Sequence, residues 1–280
     1  MSSIQDKFLN YIRSDDATKL QELFQQSEID INETDEQRST LLHKTAEFDA
    51  LECMKVLLRN SKININIQKL NGSTPLLTSI KNGHVNCVVA LISHKDIKLN
   101  IQDSNGYTPL HFAAVNSKVE YIKLLLSHTC IHVNIQDNKG FTPLHHVSRN
   151  GDIESLRLLL SHPNINVNIQ DIDGNIPLLY AEEAGHVECV EALLTHKSIN
   201  VNRQNNNGRT ALHLADVEVK PDAVKVLLRS PDINANILDK DDFTPLSYAI
   251  REDAMKMVAV LLFDPSVEVN FEDRHGKTAL

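Results

Sequence analysis

The sequence predicts an all-α solenoid of stacked repeats, and three observations support this fold class. Threonines recur every 34 residues, interrupted only where Ile176 replaces one, and asparagines recur with the same period. Between them, each repeat holds two short segments with the apolar spacing of amphipathic helices. One such unit cannot bury its apolar face alone, but stacked neighbours can. The threonines are Thr40, Thr74, Thr108, Thr142, Thr210, Thr244 and Thr278, and the asparagines are Asn32, Asn66, Asn100, Asn134, Asn168, Asn202, Asn236 and Asn270.

Residues 138–171 illustrate the predicted unit. Gly140 lies in a polar turn and can take a positive φ. Thr142 is placed as an N-cap, and Pro143 occupies the first helical position, where no N–H is needed. We expect this first helix to end near Gly151. The spacing of Ile153, Leu156, Leu159 and Leu160 predicts a second helix.

The period also divides the chain. Residues 1–33 lack the Thr-Pro helix start and have a polar outer face, as expected for an N-terminal capping repeat. Residues 34–273 form the array of about seven units. Residues 274–280 read as the start of a further repeat, so we expect the sequence to be a fragment of a longer chain. The unbroken period favours one elongated body.

Three segments at the helix starts identify a family by resemblance. Thr108-Pro-Leu-His-Phe-Ala113, Thr142-Pro-Leu-His145 and Thr210-Ala-Leu-His-Leu-Ala215 resemble the ankyrin signature T-P-L-H-x-A. The resemblance implies L-shaped units, each a β-hairpin turn plus two antiparallel helices, curved into a stack with a concave face. It also implies that the histidines of these segments (His43, His111, His145 and His213) link neighbouring hairpins.

The sequence departs from that family's pattern in several places. The period is 34 rather than about 33, and no glycine ends the second helix. Ile176 replaces an N-cap threonine, Pro221 lies near the start of a second helix, and Asp242 stands where glycine is expected. We therefore expect a less regular C-terminal half.

Composition limits the classes of partner and compartment. A net charge of −9 disfavours nucleic acid, which needs a basic face. No signal peptide and no membrane-length apolar run is present. Cys53, Cys87 and Cys189 share one repeat position, where we expect buried free thiols. A cytoplasmic or nuclear location follows from that expectation.

No pattern in the sequence predicts a catalytic residue, a cofactor or a metal site. His94, His128, His162 and His196 recur at the ends of the second helices, too far apart to share one zinc ion. We expect them to bond the helix carbonyls. We expect the recurring asparagines to hold their own turns. By resemblance, Asn134, Asn168 and Asn202 match positions that an asparaginyl hydroxylase can modify.

The remaining candidates lie where family ligands usually contact the repeats, at hairpin tips and on the inner helix face. The predicted partner-binding residues are Asn105, Tyr107, Asn116, Lys139, Phe141, Arg149, Asn150, Arg209, Phe243 and Arg251, with Asn207 beside them. Tyr107 and Phe141 hold equivalent positions in adjacent repeats, so we expect exposed rings lying side by side. Exposed aromatics near arginine are typical of interface hot spots.

The sequence thus predicts a monomeric, non-catalytic scaffold or adaptor that binds a partner protein. The alternative is the targeting arm of a larger enzyme or ubiquitin-ligase subunit whose catalytic part lies outside this chain. A host-cell effector is a third class, suggested by the Asn- and Ile-rich composition.

Overall fold

The structure, a computed structural model, describes residues 4–26, 29–215, 221–272, 276 and 278. These residues contain sixteen helices and no strand, so turns stand where hairpins are expected. The helices are α1 (Ile4–Arg13), α2 (Ala17–Gln26), α3 (Leu41–Phe48), α4 (Leu51–Leu58), α5 (Pro75–Asn82), α6 (Val85–Ile92), α7 (Pro109–Val115), α8 (Val119–Leu126), α9 (Pro143–Asn150), α10 (Ile153–Leu160), α11 (Pro177–Glu183), α12 (Val187–Leu194), α13 (Ala211–Leu214), α14 (Pro221–Leu228), α15 (Pro245–Arg251) and α16 (Met255–Leu262).

The chain forms two compact units. Unit one comprises residues 1–116 and 120–132, and unit two comprises residues 117–119 and 133–280. In unit one, first helices pack on first helices (α3 on α5, α5 on α7) and second helices on second helices (α2 on α4, α4 on α6). Unit two repeats this pattern with α9, α11, α13 and α15 in one row and α10, α12, α14 and α16 in the other. Each unit is therefore a two-layered stack of helices.

Threonine is the N-cap of six first helices, α3, α5, α7, α9, α13 and α15, as predicted. Thr74 Oγ1 accepts the N–H of Leu77 at 3.2 Å, which satisfies a donor that the first helical turn leaves without a partner. Proline follows Thr74, Thr108, Thr142 and Thr244 at the first helical position. Ile176 begins α11 without a side-chain cap and is fully buried instead.

The second helices bury one face each, as their spacing predicts. In α10, Leu156 and Leu159 are fully buried. The equivalent face of α12 contains Cys189, which is buried like Cys53 and Cys87, whereas Cys130 lies exposed in a loop. The predicted position of the three repeat-related thiols is confirmed.

The recurring asparagines connect successive repeats, and the expectation that they hold their own turns is wrong. Asn134 Nδ2 donates to the carbonyl of Asn164 at 2.6 Å, and its Oδ1 accepts the N–H of Asn166 at 3.0 Å. The same pair of bonds, to residues 30 and 32 positions ahead, is made by Asn32, Asn66, Asn100, Asn168, Asn202 and Asn236. We call this series the asparagine ladder.

The tips are linked within each unit by a second set of bonds. Gln136 Nε2 donates to the carbonyls of Gly140 (2.8 Å) and Gln170 (2.9 Å). The N–H of Ile172 donates to the carbonyl of Lys139 at 3.2 Å, which joins two tips directly. Gly140 has φ +79°, and a Cβ there would lie 2.8 Å from the Cα of Asp171. Glycine is therefore required both by its conformation and by the close approach of the next tip.

The N-terminal helices and repeat six depart from the regular pattern. Phe8 and Ile12 of α1 and Leu20 of α2 are buried. In repeat six, the repeat whose first helix follows Thr210, α13 has only four residues, and α14 begins at Pro221. Residues 216–220, and the predicted repeat start at 274–280 apart from 276 and 278, lie outside the described residues.

Candidate functional site

Once the recurring residues are assigned to architecture, the tips and the exposed positions of the first helices remain. In unit two we call this surface the tip-and-first-helix face. It contains two groups of aromatic and cationic side chains. The first cluster is Phe141, His145, His146 and Tyr180, and the second cluster is Arg209, Phe243, Tyr248 and Arg251.

Phe141 is the centre of the first cluster. Its ring centroid lies 4.9 Å from that of Tyr180, 5.1 Å from His146 and 5.3 Å from His145. Only 6% of Phe141 is exposed. The expectation of an exposed ring is therefore wrong for Phe141, because Tyr180 and His146 cover its faces.

Two buried carboxylates position the rings of the first cluster. Asp137 Oδ1 accepts the N–H groups of Lys139 and Phe141, and its Oδ2 lies 3.0 Å from His146 Nε2. Asp171 accepts a hydrogen bond from the hydroxyl of Tyr180, and burial together with this bond raises the pKa of Tyr180. Burial lowers the pKa of His146 even though Asp137 opposes the shift. The imidazole is therefore mainly neutral at pH 7.

Tyr248 is the centre of the second cluster. The guanidinium carbon of Arg209 lies 4.5 Å from its ring centroid, and that of Arg251 lies 4.8 Å from it. Arg251 also stacks on Phe243, at 4.4 Å. The structure thus brings together three predicted residues, Arg209, Phe243 and Arg251, around a tyrosine that the sequence did not single out.

Two asparagines connect the clusters. Asn175 Nδ2 donates to the Tyr180 hydroxyl at 3.2 Å, and Asn205 Nδ2 donates to Asn175 Oδ1 at 2.9 Å. Asn205 Oδ1 in turn accepts a hydrogen bond from the backbone N–H of Arg209 at 3.0 Å. A continuous run of contacts therefore crosses four successive repeats of unit two.

The other predicted residues of unit two lie outside these clusters. Lys139, Arg149 and Asn150 are exposed, as is Asn207. The Arg149 carbonyl accepts from His186 Nε2 at 3.2 Å, so the backbone at Arg149 is structural while its side chain is exposed. The positive charges of Lys139 and Arg149 add to the burial that lowers the pKa of His146, so both cations lie near the first cluster.

In unit one, the predicted residues have different surroundings. Tyr107 is half-buried, and its ring stacks on His111 with 6.0 Å between centroids. Asn105 and Asn116 are exposed, and Asn116 Nδ2 donates to the carbonyl of Phe112 at 2.8 Å. The structure does not group these three residues into a cluster comparable to those of unit two.

Four residues of this kind of surface were missed. Leu70 and Ile172 are 60% and 64% exposed at the tips, four residues before the helix start. Tyr180 and Tyr248 occupy the fourth position after the helix start. A signal was available in both cases: an apolar or aromatic residue stands at a position that changes character from repeat to repeat.

The histidines near the starts of the first helices connect neighbouring tips. His43, His145 and His213 each contact the carbonyl of the next tip through Nε2, at 3.0 to 3.1 Å, which confirms the link implied by the resemblance. Burial lowers the pKa of His43 and His145 to about 4.

The histidines at the ends of the second helices have other partners. His94 and His162 each accept, through Nδ1, a hydrogen bond from the backbone N–H two residues ahead. The expected bonds to helix carbonyls are made by their backbone N–H groups, from His94 to Leu91 and from His162 to Leu159, at 3.1 Å each.

Glu182 on α11 is a buried carboxyl that the sequence reading overlooked. It is 1% exposed, and neither oxygen has a hydrogen-bond partner. Burial raises its pKa to about 8, so the carboxyl is mainly protonated at pH 7. Three of its equivalents, Ala46, Ile80 and Ala114, are buried and apolar, and a fourth, Ser148, is buried and polar, so burial at this position was an available signal.

Within the described residues, no group of three or more His, Cys, Asp or Glu side chains is arranged to hold a metal ion. None of the helices in that part of the chain has both the length and the apolar character needed to cross a bilayer.

The fold and its linking histidines define a helical repeat protein of the ankyrin class. The family model for ankyrin repeats (3 copies) matches residues 10–103, 95–171 and 164–237, and the chain therefore belongs to the ankyrin repeat family. Members of this family are generally protein–protein interaction modules and are typically non-catalytic.

A solved structure supports the fold. The chain is similar to the crystal structure of EF0377, an ankyrin repeat protein, with 25% sequence identity and a TM-score of 0.62. The alignment covers 67% of this chain and 96% of that one. A search of curated proteins finds no match.

Proposed function

We propose that this protein is a non-catalytic scaffold or adaptor that binds a partner protein through the tip-and-first-helix face of unit two. The observation that supports the proposal is the run of side chains from Phe141 to Arg251. Tyrosine, arginine and other aromatics are the residues that supply most of the binding energy in protein interfaces. Here they stand at positions that differ between repeats, whereas the recurring residues maintain the stack.

The surroundings of these side chains support the same function. Arg209 and Tyr248 are half-buried and held by stacking, so little rotamer freedom is lost when a partner covers them. Exposed Lys139, Arg149 and Arg251 lie at the rim. A half-buried centre with a charged rim is the usual anatomy of an interface.

The proposal extends to organisation and location. Residues 1–33 serve as the capping repeat and residues 34–273 as the binding array. The buried thiols Cys53, Cys87 and Cys189 favour a reducing compartment, the cytoplasm or the nucleus.

The test uses two triple variants that remove the same charge from different faces. The binding-face variant is Lys139→Ala with Arg149→Ala and Arg251→Ala. The control variant is Arg157→Ala with Lys197→Ala and Arg229→Ala, three exposed cations on or beside the second helices of unit two. Both tagged full chains and the wild type serve as baits in a cell lysate, and quantitative mass spectrometry compares the captured proteins.

We expect a set of proteins that the wild type and the control variant retain and that the binding-face variant loses. Circular dichroism must show the same helix content for all three chains. Capture that is equal for both variants, or lost only from the control variant, contradicts the proposed face.

A further inference from the structure

Two guanidinium groups share one ring in unit two. Arg209 and Arg251 come from successive repeats, and their guanidinium carbons lie 4.5 Å and 4.8 Å from the centroid of Tyr248. Cations over an aromatic face are attracted by its quadrupole, so Tyr248 holds both groups in place. Two positive charges are thereby kept close together on the binding face.

The two arginines differ in how their donors are used. Arg251 donates from Nε (3.0 Å) and Nη2 (2.7 Å) to Oε1 of Glu252. Among the residues that the structure describes, Asp239 is the sole counterion of Arg209, with 3.5 Å between Nε and Oδ2 and no hydrogen bond between them. None of the N–H donors of the Arg209 guanidinium is satisfied by the described residues.

Asp239 holds its own tip through one oxygen, while Oδ2, which faces Arg209, has no hydrogen-bond partner among the described residues. Its Oδ1 accepts the N–H groups of Asp241 (2.9 Å) and Phe243 (3.0 Å), which hold the tip of repeat seven. Its side chain is fully buried, whereas 22% of the Arg209 side chain is exposed. Arg209 is therefore a stacked, partly buried guanidinium with unused donors and a solvent-facing part.

A carboxylate is the group that best matches these donors. The planar guanidinium fork binds carboxylates and phosphates in a bidentate manner, and a fork already fixed by stacking loses little freedom on binding. Phosphate carries nearly two negative charges. Asp239 beside Arg209 and Glu252 beside Arg251 would oppose the second charge more than the first.

We propose that Arg209, assisted by Arg251, binds the carboxylate of an aspartate or glutamate in an acidic segment of the partner protein. This inference rests on the proposed function of the tip-and-first-helix face. An apolar side chain next to that carboxylate would lie against Phe243, which Arg251 already covers on one side.

The experiment selects ligands from a phage library of random linear peptides on the immobilised full chain. Peptides that bind are synthesised with their acidic residue intact, replaced by the matching amide, or replaced by phosphoserine. Affinities are measured by fluorescence polarisation for the wild type and for Arg209→Gln, Arg209→Lys and Arg229→Gln. Arg229 is an exposed arginine at the end of α14 and provides the matched control.

We expect the selected peptides to be enriched in Asp or Glu. Arg209→Gln and the amide peptide should each weaken binding at least about tenfold, the effect of losing one charge-assisted contact. Arg209→Lys keeps a positive charge beside Asp239, so it separates loss of the fork from loss of folding. It should also weaken binding, while its melting temperature and the affinity of Arg229→Gln stay near wild type.

Three results would overturn the inference. They are selected peptides without acidic residues, equal affinity of the wild type and Arg209→Gln, and a phosphoserine peptide that binds more tightly than its acidic parent. The proposed function is judged separately. If the selected peptides lack acidic residues but bind the Lys139, Arg149 and Arg251 triple variant more weakly than the wild type, the carboxylate inference fails while the proposed binding face is supported.

Discussion

Replacing the buried carboxyl of Glu182 should stabilise the protein, and the gain should grow with pH. The pKa of Glu182 is about 8 in the folded chain and has an ordinary value of 4.5. In the folded state, Glu182 keeps its proton to higher pH than in the unfolded state. The contribution of Glu182 to the free energy of unfolding is therefore fully present below pH 4.5 and is lost as the pH rises towards 8. At 1.36 kcal/mol per pKa unit, the loss is roughly 5 kcal/mol above pH 8 and roughly 3 kcal/mol at pH 7.

Glu182→Ile removes the titrating group and introduces the residue that occupies the equivalent position as Ile80. Thermal unfolding followed by circular dichroism at pH 5 and pH 8 gives the difference in melting temperature between variant and wild type. The stability loss between pH 5 and pH 8 is about 3.5 kcal/mol, and 1 kcal/mol shifts the melting temperature of a chain of this size by about 2–4 °C. We therefore expect the difference to widen by roughly 7–14 °C between the two pH values. Glu183→Gln, an exposed neighbour on the same helix, should show no such widening.

Comparison within one pH series cancels the titration of all other groups, which both chains share. A difference that is equal at pH 5 and pH 8 would refute the reasoning, since it would mean that Glu182 is solvated or paired in solution. A widening of the same size in Glu183→Gln would refute it as well.

Three further predictions concern the stack. The pKa of His145 is about 4, below its ordinary 6.5, so its contribution to stability is lost as the pH falls from 6.5 towards 4. The melting temperature of His145→Leu should therefore fall less between pH 7 and pH 5 than that of the wild type. Asn168→Ala removes two cross-repeat hydrogen bonds and should lower the free energy of unfolding in urea by about 2 kcal/mol, whereas Asn164→Ala should change it by less than about 0.5 kcal/mol. Gly140→Ala should destabilise more than Gly83→Ala in thermal melts, because both have positive φ but only Gly140 faces the next tip at 2.8 Å.

Features that depend on neighbouring residues in sequence were predictable. The N-cap of Thr74 and the turn at Gly140 involve residues only a few positions apart, so the local pattern is sufficient. The link from His145 to the next tip came from the family resemblance rather than from local chemistry.

Features that depend on stacking were not. The partners of Asn134 lie 30 and 32 residues ahead and become neighbours only after the repeats pack. Phe141 is buried because Tyr180 of the following repeat covers it, and Tyr248 gathers arginines from two repeats. Each case requires side-chain positions across a repeat boundary, which the period alone does not provide.

The asparagine ladder gives the stack a direction. Each amide, from Asn32 to Asn236, reaches forward to a loop that follows it in the chain. Synthesis on the ribosome proceeds the same way, so every emerging repeat meets a neighbour whose amide is already in place. Shortening the chain from its two ends is therefore not equivalent. Removal of an early repeat leaves the next loop without the amide that it bonds, whereas removal of a late repeat leaves an amide without its loop.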